Sequence, residues 1–272
     1  MSIGKAAGPD AKEKALDEAT KKLLADVVTA YRILVNEVIL DGFGHISVRA
    51  PGAPDRFLMP RAMPPSLVEV DDFLELDVAT SQPVDPKGRR VNGERYLHGE
   101  IFKARPDVNA IVHSHSYSVI PLTLAGIAMQ PVFVQAGFMP LLVPTFELRT
   151  VRGEGKGLQI TDPARGAALA ATLGPHPVAL LRGHGVVVAG PSIVHATVYS
   201  IYTEINAKLQ MQALQIGPRL ETLDGPELFE PNGFDVARPW QHYRSRLPGA
   251  DTRPAVDRGQ FGLESTQPSV KG

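Results

Sequence analysis

Residues 110–115 read Ala110-Ile111-Val112-His113-Ser114-His115, a short apolar run that ends in two histidines. Alternate residues of a β-strand point to one face. The run therefore predicts a strand with two imidazoles projecting side by side from its end. Two readings of the pair stand open. Such histidines cap turns or fill cores; equally, neutral imidazole is the commonest protein ligand for zinc and related metals. Two more histidines favour the second reading. His98 lies on a predicted helix just upstream, and His184 sits between glycines in Leu181-Arg182-Gly183-His184-Gly185.

Outward from this strand the chain alternates helices with short strands. Apolar residues at three- and four-residue steps predict a helix over 11–40. Asp41-Gly42-Phe43-Gly44 is a loop, and the alternation in His45–Arg49 is that of a strand whose hairpin partner is Arg56–Met59. A short helix and a strand fall within 68–77. A helix over 94–103 stops before Pro106, and another, over 116–124, carries Pro121. Thr161 or Asp162 caps a helix running to Leu173, and Ser192 caps one running to about Leu214. Runs 178–181 and 186–189 are β-rich. This order predicts one α/β or α+β domain over 11–217 with a proline-rich extension over 218–272.

Composition narrows the chemistry. The chain has 272 residues, 43% of them hydrophobic, and a net charge of −1. Neither a nucleic-acid footprint nor a membrane-binding charge pattern is present. Cysteine is absent, which excludes thiolate ligands and a cysteine nucleophile. Any metal must be held by histidine and carboxylate. No apolar run reaches transmembrane length, and the polar residues 1–14 lack the apolar core of a signal peptide, so the cytoplasm is the expected location.

Glu94 and His98 stand four residues apart and share one helix face. If that face looks toward His113 and His115, a carboxylate stands beside a metal, as a ligand or as the group that moves a proton. The alternative is a solvated helical pair. Glu100 falls on another face and is expected at the surface. His45 opens a strand after a glycine-bearing loop, where pocket residues often sit. Arg61 follows a strand and is a candidate to clamp a carboxylate bidentately, the alternative being an ordinary surface arginine. Phe43, Met59 and Phe138 are expected as apolar walls.

Together, Gly44-His45-Ile46-Ser47-Val48-Arg49, Glu94-x-x-x-His98, Arg105-Pro106-Asp107-Val108-Asn109 running into His113-Ser114-His115, and Leu181–Gly185 resemble the class II aldolase/adducin family over about residues 24–214. The resemblance implies a three-layer α/β/α sandwich around a mainly antiparallel sheet. It also implies a homotetramer with active sites between subunits and a divalent metal on His113, His115 and His184. Glu94 becomes the acid/base, with His98 a supporting residue.

Departures from the sugar-phosphate aldolases point away from phosphate. This chain has Gly44-His45 where they read Gly-Asn, Arg61-Ala62 where they carry Thr-Gly, and Asn92-Gly93 where they place Ser-Ser. His45 and Arg61 are donors suited to a carboxylate or phenolate. The pattern is similar to the subgroup of dihydroxyphthalate decarboxylase-like and prenylated-hydroxyphenylpyruvate oxygenase-like proteins. The expected activity is therefore decarboxylation of a small hydroxylated aromatic carboxylate through a metal-stabilised enolate or carbanion. Zinc, manganese or cobalt would serve it, with Arg61, His45, His98 and Ser47 around the substrate. Retro-aldol cleavage or dehydration of a hydroxy or keto acid, or an iron-dependent oxygenation, are the alternatives on the same site. A non-enzymatic, adducin-like role would dispense with the histidines. Trp240 and Tyr243 of the extension are candidates to close a neighbouring subunit's site.

Overall fold

The structure is a computed structural model that describes residues 17–86, 88–151, 157–217, 219–228 and 234–249. The predicted tail at 1–10, the first residues of the predicted first helix and most of the extension lie outside them. A seven-stranded sheet runs through the middle of the molecule. Its strands are β1 (His45–Ala50), β2 (Ala53–Pro60), β3 (Phe73–Asp77), β4 (Ala110–Ser114), β5 (Thr145–Phe146), β6 (Val178–Leu181) and β7 (Gly185–Gly190), in the order β3-β2-β1-β4-β7-β6-β5. Every neighbouring pair is antiparallel except β5 and β6.

Strand alternation divides two apolar layers. Ile46, Val48, Ala110, Val112, Val186 and Val188 face α1 (Glu18–Asn36) and α5 (Ile193–Ile216), with α3 (Val119–Leu124) and α6 (Ala237–Ser245) packed on the same side. Phe57, Met59, Ile111, Val187 and Ala189 face α2 (Arg95–Ala104) and α4 (Pro163–Leu173). This is the α/β/α sandwich expected from the sequence.

Caps set the helix limits. The Asp17 side chain accepts from Thr20 N at 2.7 Å, Asp162 from Arg165 N at 2.9 Å with Pro163 in the first turn, and Ser192 from His195 N at 3.4 Å. The first helix ends four residues before its predicted limit. Val38 takes φ 60°, and the N–H groups of Ile39 and Leu40 both turn back to Leu34 O. That fold-back buries Ile39 and Leu40 without extending the helix. The sequence reading missed β5, whose two residues are too short to show a period.

The expectations for Glu100, Met59 and Phe138 are corrected. Glu100 is buried, not exposed. At Gly166, α4 crosses so close to α2 that a Cβ there would stand 2.5 Å from Tyr96 O and 2.9 Å from Glu100 Cγ. Met59 lies in the α2/α4 core. Phe138 stacks on Tyr199 with ring centroids 4.1 Å apart. Neither lines the site described below. Trp240 and Tyr243 are buried in their own chain, in the layer that holds α1 and α5. Among the described residues no helix is long and apolar enough to cross a membrane.

Candidate metal centre and active site

Parity on two neighbouring strands builds the site. His45 pairs with His113 across β1 and β4, and Ser47 with Ile111. Since Ile46, Val48 and Val112 face the α1/α5 layer, His45, Ser47 and His113 face α2. The third imidazole arrives by a hairpin. Leu181 pairs with Gly185, and Gly183 turns at φ 66°. A Cβ on Gly185 would stand 2.1 Å from Ser114 O. Only glycine lets the start of β7 close on the end of β4 and carry His184 to the other histidines.

The three rings of His113, His115 and His184 stand with centroids 4.8–5.2 Å apart. One nitrogen of each, together with a Glu94 oxygen, falls within 4.8 Å of the others. Two of the rings have their tautomers fixed from behind. His113 Nδ1 donates to Val186 O at 3.0 Å. His115 Nδ1 donates to Asp41 Oδ2 at 3.0 Å. In both, Nε2 is left as the free lone pair. Asp41 is held in turn by the N–H groups of Phe43 and Gly44. Burial, reinforced by neighbouring histidines, holds His113 well below the ordinary imidazole pKa; burial also lowers His184. Neutral imidazoles at pH 7 are the form that binds metal. His113 Nε2 is buried and makes no hydrogen bond among the described residues, and His184 turns its Nε2 toward Glu94. Neutral nitrogens, unspent lone pairs, fixed tautomers and a shared focus fit a divalent cation.

Glu94 closes the group. It is the residue before the first turn of α2, not inside the helix, and Asn92 Oδ1 caps its N–H at 2.9 Å. Its Oε1 accepts from Ile160 N at 2.9 Å and lies 3.7 Å from His184 Nε2. Oε2 lies 3.8 Å from His113 Nε2 and 3.6 Å from His45 Nε2. Burial pushes this carboxyl up, but His45, His113 and His184 more than reverse it, and the group rests well below the ordinary carboxylate range.

Glu94, His115 and His184 floor a cavity of about 790 Å³, lined also by Phe43, Ala62, Met63, Arg90, Asn92, Gln159 and Thr161. Of the substrate residues expected from the sequence, His45 forms part of the wall. His98 and Ser47 are fully buried behind it. Arg61 is absent from the lining, and its Nε is tied to Asp72 Oδ1 at 2.8 Å. Sequence reading missed Asp41 and Arg90. Asp41 looked like any acidic loop residue, and Arg90 sits in an unpatterned run. Arg90 makes no side-chain hydrogen bond or ion pair among the described residues.

Residues 25–211 match the class II aldolase and adducin N-terminal domain family, and the chain belongs to it. It is 33% identical over 210 residues to decarboxylase tropJ of Talaromyces stipitatus, covering 73% of this chain and 79% of that protein. To the 3,4-dihydroxyphthalate decarboxylase of Arthrobacter keyseri it is 27% identical over 237 residues, covering 82% and 93%. Among solved structures, L-fuculose 1-phosphate aldolase from Glaciozyma antarctica PI12 shares the fold with a TM-score of 0.69 at 22% identity, over 90% of this chain and 97% of that one. An aldolase II superfamily protein from Pseudomonas syringae does so with a TM-score of 0.69 at 24% identity, over 88% and 98%.

Proposed function

We propose that the protein is a divalent-metal-dependent carboxy-lyase acting on a small hydroxylated aromatic carboxylate. The observation that carries this reading is the convergence of three imidazoles and one carboxylate at the floor of an open cavity, with His115, His184 and Glu94 lining it, His113 buried beneath, and the uncommitted Arg90 in its wall. The decarboxylase names of two relatives support the reaction class. His113, His115 and His184 would hold zinc, manganese or cobalt, which supplies Lewis-acid stabilisation of the charge released as the carbon–carbon bond breaks.

The chain's own residues do the rest. Arg90 meets the substrate carboxylate, in place of Arg61, which Asp72 occupies. Glu94 rests ionised, so it acts first as a base. It takes the proton of the ring hydroxyl and returns it to the ring carbon that carries the carboxylate. The bond to the carboxyl carbon then breaks, carbon dioxide leaves, and the product remains as its phenolate. A homotetramer belongs to the same reading: exposed Tyr117, Leu124, Leu141 and Leu142 offer apolar surface of the kind subunits cover.

The test loads the protein with zinc, manganese, cobalt or iron. It follows carbon dioxide release from salicylate and protocatechuate, with and without oxygen. Oxygen-independent release with the first three metals supports the reading. A requirement for iron and oxygen points instead to the oxygenase chemistry named for a relative 30% identical over 152 residues. Failure to take up any metal overturns both.

A further inference from the structure

Behind the cavity wall runs a line of buried side chains that the steps above do not use. Ser47 and His45 project from one face of β1, and His98 reaches them from α2. Ser47 Oγ lies 2.6 Å from His98 Nδ1. His98 Nε2 lies 2.7 Å from His45 Nδ1. His45 Nε2 ends the line, 3.6 Å from Glu94 Oε2, too far for a hydrogen bond. Ser47 and His98 are 0% exposed and His45 3%.

The proton positions follow from the Ser47 end of the line. Among the described residues the Ser47 hydroxyl has only His98 Nδ1 as its acceptor, so that nitrogen is bare. The His98 ring then carries its hydrogen on Nε2 and donates it to His45 Nδ1, which leaves the hydrogen of His45 on Nε2. The reverse order would set a His45 lone pair against the Glu94 carboxylate. It would also leave the Ser47 hydrogen without an acceptor among the described residues. Burial keeps His98 neutral, with its pKa held well below the ordinary value, so the line carries no spare proton.

We propose that Ser47 and His98 are positioning residues that lock His45 as the Nε2–H tautomer and so make it a fixed donor to an anionic substrate oxygen beside Glu94. His45 Nε2 is buried and makes no hydrogen bond among the described residues, yet His45 lines the cavity. A ligand oxygen supplies the missing acceptor. The matching group is a carboxylate or phenolate; a group that presents hydrogen at this point is rejected. This assignment rests on the reading of the cavity as the substrate site and narrows it to ligands that are anionic where they meet His45.

The imidazole nitrogens report the tautomer directly. In isotope-labelled protein, metal-free and zinc-loaded, heteronuclear NMR assigned with His45→Gln is expected to show a protonated Nε2 and a bare Nδ1 on His45. A bare Nε2 overturns the proposal whatever the activity. Salicylate is expected to shift the His45 Nε2–H signal, and salicylate that binds without moving it also overturns the donor role. His98→Leu should release the tautomer into a mixture and lower kcat about tenfold at unchanged metal content. His98→Gln, which restores an N–H toward His45, should recover both; a His98→Leu spectrum identical to wild type sinks the positioning role. His45→Phe should lower kcat on the order of 100-fold, as loss of an oxyanion donor does, with partial recovery in His45→Gln. If the tautomer is as stated but no carboxylate is turned over, the proposed reaction falls and the locked donor stands.

Discussion

The two ends of β1 are built from the same kinds of atom and put to opposite use. At the far end, Arg49 spends its guanidinium on four backbone carbonyls, those of Val108, Pro54, Phe102 and Arg105, and lies over the Phe102 ring at 4.9 Å. A recess of about 940 Å³ opens beside it, lined by Lys22, Asp26, Trp240 and Arg244. This is a larger hollow than the one over the histidines, yet among the described residues none that line it has a fully buried polar side-chain atom without a hydrogen-bond partner. At the His45 end, the buried Nε2 atoms of His45 and His113 are left without hydrogen-bond partners among the described residues. Buried polar groups are normally satisfied because an orphan is costly. Cavity size therefore does not separate structure from function here. Between the two ends of β1, the satisfaction of buried polar atoms does.

Substitutions at the two ends should fail in different currencies. The largest effect belongs to Glu94→Gln, expected to lower turnover about a thousandfold with metal content intact and the thermal midpoint of the metal-free protein lowered, because a carboxylate whose pKa the fold depresses stabilises the native state at neutral pH. Single-turnover kinetics beside metal analysis decides it; near-wild-type rates would refute the proton role. Arg49→Ala should do the converse. It strands four carbonyls and should cost about 3 kcal/mol of stability, read by urea unfolding, while the surviving folded protein binds zinc as before. Asp41→Asn weakens the charge behind His115 and should lower zinc affinity about tenfold, measured by competition with a chelator. Arg90→Ala should raise KM for a carboxylated substrate about tenfold with kcat preserved, and Arg61→Ala should not. The reverse result would return the carboxylate to Arg61.

Much of the His45 end was readable before the fold was known, because its geometry is written in short spacings. An i, i+2 pair on a strand must share a face, so His113 and His115 could be placed together from the sequence. Glycines flanking His184 announced a tight turn, and the structure shows why Gly185 is needed. What could not be read depends on tertiary approach. Asp41 meets His115 across 74 positions of sequence, and no local pattern marks that pairing. Arg61 and Arg90 look alike as residues. They differ because Asp72 is paired with one, while among the described residues no side chain hydrogen-bonds or ion-pairs with the other. Glu100 was misread for the same reason: helix periodicity cannot announce that a glycine on α4 will bring a second helix over it.

The smallest expected effect sharpens the comparison through pH. His98 and His113 are buried with depressed pKa values, the first cause in each being loss of solvation. In the unfolded chain both titrate near 6.5. Below that pH the unfolded chain binds protons that the native fold refuses, so the slope of stability against pH is positive there. Metal-free protein should therefore hold its stability above about pH 6.5 and lose it steadily as the pH falls toward the depressed native values. His98→Gln removes one of these refused protons and should flatten the loss by up to one proton's slope. Zinc should extend the contribution of His113 to lower pH, since a ligated nitrogen refuses protons until the ion leaves, and should leave that of His98 unchanged. Arg49→Ala, at the other end of the strand, should shift the whole curve down without changing its slope. A parallel shift in His98→Gln as well would mean that the buried imidazole is already protonated in the native state, and the unpaired end of β1 would then be a store of charge and not of lone pairs.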